Sequence, residues 1–236
     1  IVYSSAVFEK PRDADPSWKV AIALPHAPHS SAGGLLGPLE GDRWLLSLGG
    51  RHDEQPGAGA AFDAFARELR TPTIARAIEG ARRLTEPARF GLRASRRRHF
   101  EALPVRPRRL VTLGDAVCRF NPIYGQGMSV AAQQCVALAE LLEAHSSSAD
   151  PWANLSDAMA IAANSALEGA WHMSATPDFI YPKTTGERPP DLAFRLKRTL
   201  AIQRLAAIDP AVHRAMLRVG HLLDPPSTLY TPELQE

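Results

Sequence analysis

One stretch, Leu110 to Leu142, constrains this chain more than any other. It opens on Leu110-Val111-Thr112-Leu113, an apolar, β-favouring run that stops at Gly114-Asp115, the pattern of a buried strand ending in an acidic turn. A carboxylate is thereby expected at a strand's end. A loop carrying Asn121-Pro122 and then Gly125-Gln126-Gly127 follows, and from Met128 no Gly or Pro interrupts the chain until Pro151. That punctuation predicts a long helix beginning at the glycines. Its first backbone N–H groups lack intrahelical partners and its dipole places partial positive charge there, so an anionic or electron-rich ligand group is favoured at that end. Glycine lets such a ligand come close to the backbone.

In these residues the sequence resembles the FAD-dependent monooxygenases of the aromatic hydroxylase and squalene epoxidase type. Their second FAD fingerprint is a strand, a Gly-Asp pair, a Pro-containing loop, a Gly-x-Gly turn and a long helix, matched in order by Gly114, Asp115, Pro122, Gly125, Gln126, Gly127 and Met128. The resemblance implies that Asp115 bonds a ribityl hydroxyl, that the Pro122 loop lies beside the isoalloxazine ring, and that the amides around Gly125 to Met128 face the N1–C2=O edge of the flavin. Reduced flavin carries negative charge at that edge, which a helix N-terminus stabilises. Three positions depart from the family pattern. Cys118 stands where many hydroxylases have His, Asn121 where they have a second Pro, and Tyr124 where they have Gly. Cys118 inherits no role from that His. Met128 leans towards the epoxidase side.

The resemblance further implies an FAD cofactor, NAD(P)H as electron donor, O2 as oxidant and a mostly apolar small-molecule substrate to be hydroxylated or epoxidised. The cofactor carries that chemistry, and no catalytic side chain is assigned. Other flavin oxidoreductases, a reductase or a halogenase, are the near alternative. A non-catalytic helical binding module with a basic segment is the distant one.

At 236 residues with 45% hydrophobic composition, the chain is long enough for a substantial core, and its net charge of +2 demands no polyanionic partner. No apolar run is long enough for a membrane-spanning helix, and no charged-then-apolar leader opens the chain. Cys118 and Cys135 make no metal pattern; both are expected to be buried in a cytoplasmic protein. Ile1-Val2-Tyr3-Ser4 already reads as the interior of a strand. A dinucleotide-binding glycine turn is missing, since Gly33-Gly34 with Gly37 has the wrong spacing and Pro38-Leu39-Glu40 opens no helix. The expectation is therefore the C-terminal part of a longer enzyme, lacking its N-terminal FAD-binding half and binding FAD poorly or not at all alone.

The fold class expected is α+β, part of an FAD/NAD(P)-binding flavoprotein. Residues 1–107 read as an incomplete substrate domain, 108–145 as the strand-loop-helix of the FAD domain and 146–236 as a helical C-terminal region. Val2 to Glu9, Trp18 to Leu24 and Arg43 to Leu48 are expected as antiparallel strands, which in the resembled family wall the substrate cavity. Tyr3, His26, His29, Trp44 and His52 are candidates to face that cavity, with packing or solvation as the plainer role. His26 and His29 lack further ligands for a metal. Phe62, Phe65, Ala66 and Leu69 mark one helix, and Ile74, Ile78, Ala81 and Leu84 a second, broken from the first at Thr71-Pro72.

Between Arg82 and Arg109 lie ten arginines. They suit a solvated or interdomain face, a cofactor phosphate or, least of all, nucleic acid, for which no accompanying motif exists. Leu155, Met159, Ala162, Ala163, Ala166, Leu167 and Ala170 stripe a helix ending near Trp171. A Pro-rich ordered segment from Thr176 to Pro190 follows, then helices on Leu192 to Leu205 and from Asp209-Pro210 to Leu223.

Overall fold

The computed structural model describes residues 1–12, 14 and 17–230, which divide into two compact units: residues up to 93 with 181–183, and residues 94–180 with 184–230. The architecture is α+β, as expected.

The first unit is built on an antiparallel sheet of β1 (Val2–Glu9), β2 (Ala21–Ala23), β3 (Gly33–Leu39), β4 (Arg43–Gly50) and β5 (Ala88–Gly91), in the order β2-β3-β4-β1-β5. Period-two alternation explains it. In β4, Trp44, Leu46 and Leu48 are buried while Leu45 and Ser47 are half-exposed; in β1, Ala6 and Phe8 point to the same side as Trp44, Leu46 and Leu48. That side packs on α1 (Ala60–Glu68) and α2 (Thr73–Ala77) through Phe62, Ala66, Leu69 and Ile74, and Phe8 stacks on Phe62. The opposite face is mixed, with Ser5 bonded to Ser47, and at one end of the sheet Ile22 pairs with Leu35 and both are exposed.

Strand β3 was not expected. Its Gly33-Gly34 looked like turn punctuation, but a Cβ at Gly34 would lie 3.0 Å from both Leu48 Cδ2 and Leu69 Cδ1, so glycine there lets the helices approach the sheet. The second helix is shorter than its apolar pattern suggested. It ends at Ala77, and the chain turns at Gly80 with φ 72°.

The second unit contains a two-stranded ribbon of β6 (Arg96–Arg97) and β7 (Cys118–Arg119), and four helices: α3 (Gly127–His145), α4 (Leu155–Asp178), α5 (Leu192–Ala206) and α6 (Pro210–Gly220). Helix α4 buries Leu155, Met159, Ala163, Leu167 and Ala170 of the expected stripe and leaves Ala162 and Ala166 half-buried, and it runs on through Pro177 instead of stopping near Trp171. Pro177 has no N–H for the carbonyl four residues back, and the helix ends one residue later, with Phe179 and Ile180 N–H donating to the Thr176 and Pro177 carbonyls. Helix α6 starts as expected, with the Asp209 carboxylate capping the Ala211 and Val212 N–H groups. Tyr230 then lies under Arg198, whose guanidinium carbon sits 3.8 Å from the ring centroid.

Leu110 to Leu113 differs from expectation. Leu113 is extended, with φ −137° and ψ 159°, but the run belongs to no ladder among the described residues, and Leu110 is exposed. β propensity cannot make a strand without a neighbour to receive its N–H and C=O groups. No helix among the described residues is long and apolar enough to cross a membrane.

The packing yields a paired prediction. Leu167 is fully buried and Met128 is 86% exposed, so Leu167→Ala should cost about 2–5 kcal/mol in urea unfolding of the chain and Met128→Ala less than about 0.5 kcal/mol.

Candidate cofactor-binding site

Helix α3 begins at Gly127, as the glycine punctuation predicted, and no side chain among the described residues caps it. Immediately before it, a single turn of 3-10 helix at Pro122–Tyr124 ends on Gly125, whose φ of 70° is left-handed and whose Cβ position is open space. Pro122, Gly125 and Met128 are exposed and Gly127 is half-buried. Gln126 is the exception. It is buried, its Nε2 donates to the Gly220 carbonyl at 3.3 Å, and its Oε1 lies buried with no hydrogen-bond partner among the described residues. A buried acceptor left unmatched is costly, and a ligand N–H or O–H would satisfy it.

Asp115 lies not at the end of a ladder-paired strand but in a second 3-10 turn, Gly114–Ala116, with its side chain exposed. This turn is fixed against the early part of α3. Gly114 N–H donates to Gln134 Oε1 at 2.7 Å, a Cβ on Gly114 would touch Ala131 Cβ at 3.6 Å, and Gln134 Nε2 donates onward to the Ala163 carbonyl of α4 at 3.3 Å. Gln134 is completely buried. Gly114 itself has φ 55°. Arg98 holds the same turn from the other side, donating through Nη1 to the carbonyls of Asp115 and Ala116, each at 3.1 Å. The seven fingerprint residues thus come from two turns and one helix start, joined through α3.

Val117, Cys118 and Phe120 anchor the loop's base in a core with Val130, Leu167 and Ala170, against which Trp171 packs. Burial pushes the Cys118 thiol up to about 12, with Asp115 adding to the rise and Arg97 opposing it. Cys118 therefore stays a protonated packing residue. Cys135, expected to be buried, is exposed on α3. The helix carries more apolar residues than its partners cover, since only Val130 and Gln134 of it are buried. Met128, Ala132, Cys135, Val136, Ala139 and Leu142 form one exposed face at helical spacing.

Most of the arginine-rich segment is exposed, and several of its side chains pair with carboxylates of the chain. Arg82 pairs with Glu9, Arg83 with Asp63, Arg106 with Asp157 and Arg108 with Asp150. Arg97, the most buried of these, donates to Glu168 at 2.7 Å and Asn164 at 2.5 Å. Burial alone would raise the Glu168 carboxyl; the hydrogen bond and charge of Arg97, with His172 beside it, outweigh that and hold it below its ordinary 4.5. Of the candidate cavity residues, Trp44 is a core residue packed on Trp18, and the His26 and His29 rings lie together in an exposed loop. No cluster among the described residues could hold a metal ion. Surface grooves of about 430 and 560 Å³ occur around Asp209, Pro210 and Arg214, of which the sequence marked Asp209-Pro210 only as a helix start.

Sequence reasoning also missed Gln134 and Asp178. Glutamine inside an apolar helical run was the available signal for the first. The second lay in a segment read as irregular.

Two measurements follow from these environments. Alkylation of the folded chain near pH 8 should modify Cys135 and spare Cys118; equal labelling would contradict the burial of Cys118. For Glu168 the folded value is depressed, so its contribution to stability is present above the unfolded value of 4.5 and is lost as pH falls through the lower folded value. The urea midpoint should accordingly fall on acidification below about pH 4.5, and Arg97→Met should flatten that acid limb.

No family model matches the chain. Protein Rv3254 of Mycobacterium tuberculosis is 32% identical over 231 residues, covering 95% of this chain and 47% of that protein. Kynurenine 3-monooxygenase of Xanthomonas campestris pv. campestris is 51% identical over 45 residues, 19% of this chain and 10% of that enzyme. The chain thus spans about half the length of its Mycobacterium relative. Among solved structures, a triple mutant of the flavin-dependent brominase Bmp2 superimposes with a TM-score of 0.61 at 16% identity, over 94% of this chain and 51% of the brominase. CmlS, a flavin-dependent halogenase, gives 0.55 at 16% identity, over 85% and 39%. The chain therefore shares the fold of roughly half of a flavin-dependent halogenase.

Proposed function

We propose that this chain is the C-terminal part of an FAD-dependent monooxygenase that hydroxylates or epoxidises a mostly apolar small molecule, with O2 and NAD(P)H, in the cytoplasm. The observation that carries the reading is the uncapped start of α3. There, amides beside Gly125, an orphaned buried acceptor on Gln126 and the turn bearing Asp115 are held together through one helix. Those features fit a flavin: Gly125 N–H is given to the Pro122 carbonyl and Gly125 turns the backbone, so the N–H groups of Gln126 to Met128 would face its electron-rich edge, and Asp115 would accept from a ribityl hydroxyl. Gly114, Pro122 and Gly127 would shape the backbone around it. Bound there, the flavin would supply the redox chemistry, while the chain's own groups bind and orient it and favour its negative charge.

The exposed apolar face of α3 and the unladdered run Leu110 to Leu113 agree with a longer protein whose remaining half covers them. That half would hold the FAD pyrophosphate. A second reading, a flavin-dependent halogenase, is favoured by the fold shared with Bmp2 and CmlS. The local likeness to kynurenine 3-monooxygenase, at 51% identity, favours the first.

Absorbance and product mass test both. The full-length protein that contains residues 1–236 should purify yellow or take up FAD. With NAD(P)H, or a reductase, and O2, its product should gain an oxygen atom; a halogen gained in the presence of bromide or chloride selects the halogenase reading, and a colourless protein that FAD cannot reconstitute ends both. In that protein, Asp115→Ala should weaken FAD binding by about 1.5–3 kcal/mol, the worth of a hydrogen bond to a charged acceptor. Unchanged affinity would mean the ribityl contact lies elsewhere.

A further inference from the structure

Two of the three departures from the resembled loop pattern, Asn121 and Tyr124, meet at one carboxylate. Asp178, the last residue of α4, accepts from Tyr124 Oη at 2.7 Å and from Asn121 Nδ2 at 3.2 and 3.3 Å. Asn121 is buried, and its Oδ1 accepts from Ile123 N–H at 3.3 Å, so the loop from Asn121 to Tyr124 is held at its amide, its backbone and its phenol. The carboxylate itself stands on a tied base. Thr184 Oγ1 donates to the Asp178 carbonyl at 2.7 Å, and Arg188 donates to the carbonyls of Phe179 and Thr184.

A carboxylate at a helix C-terminus is disfavoured by the dipole, so its presence there calls for donors, and the loop supplies two. The exchange of residue types has a physical logic. A second proline would stiffen the loop by restricting its unfolded conformations; asparagine does not, and must be immobilised by hydrogen bonds instead. Tyrosine, in place of glycine, brings a hydroxyl that needs a partner in a half-buried setting.

We propose that Asp178 is a positioning residue that, with Asn121 and Tyr124, locks the loop beside the proposed flavin ring; the proposal rests on the flavin reading above. It touches neither substrate nor cofactor in this role. It acts through the loop.

The test uses the full-length protein with Asp178→Asn, Tyr124→Phe and the double variant, reading FAD affinity by flavin fluorescence and hydrogen exchange of the amides from Ile123 to Gln126. Asp178→Asn keeps the size but turns one acceptor into a donor facing Asn121 Nδ2. Each single variant should lower FAD affinity by about tenfold and speed loop exchange, and the double variant should be no weaker than the weaker single, because both remove one interaction. Tyr124→Phe removes only a hydroxyl, which keeps the test available if Asp178→Asn folds poorly. Faster exchange with unchanged affinity would overturn the positioning role and leave the flavin reading standing. Additive losses in the double variant would also overturn it. A wild-type protein that takes up no FAD would overturn the flavin reading itself, and this inference with it.

Discussion

The second unit depends on one buried amide. Gln134 has no exposed surface, and both ends of its side chain are matched, by the Gly114 N–H on one side and the Ala163 carbonyl on the other. With a donor at one end and an acceptor at the other, its orientation is unambiguous, and three segments separated in sequence are joined at one point. A buried amide is expensive unless every group it faces is satisfied, so the arrangement tolerates little slip. The Gly114 turn cannot move away from α3 without stranding an N–H. Nor can α3 slide along α4 without stranding the buried Gln134 Nε2–H.

Around that clamp the packing is ordinary and the polar contacts are what single out the region. Leu167 and Ala170 of α4 meet Val130 of α3 and the base of the loop at Val117, Cys118 and Phe120. On this base sits a loop whose polar side chains are drawn to Asp178, followed by a helix start that carries no cap of its own. Fixed turns and free amides are the combination a rigid ligand needs, because preorganised donors cost nothing further on binding. The arginines of residues 82–109 serve a different purpose. Paired with Glu9, Asp63, Glu168, Asp157 and Asp150, they fasten loops within each unit and leave less charge for an outside partner than their density in the sequence suggests.

Several elements were legible because their signals are local. Alternation announced β1 and β4; glycines and the following uninterrupted run announced α3; Asp209-Pro210 announced α6. Others were not. Strand β3 begins with two glycines and contains Pro38, poor β formers, and only the packed fold shows that Gly34 makes room for Leu48 and Leu69. Helix α4 continues through a proline that local rules take as a stop. Leu110 to Leu113 has strand composition and no strand partner among the described residues.

The order Gly114-Asp115, Pro122, Gly125-Gln126-Gly127 is written in the chain alone, as is the helix that follows, because turn chemistry and helix initiation depend on neighbours a few residues apart. Which groups of that stretch are buried, which are exposed and what holds them was decided only in three dimensions. Gln134 reaches a carbonyl 29 positions away and Asp178 a phenol 54 positions away. No local pattern encodes such pairings, since a hydrogen bond between distant segments forms only after packing has brought them together and taken away the water that would otherwise satisfy them.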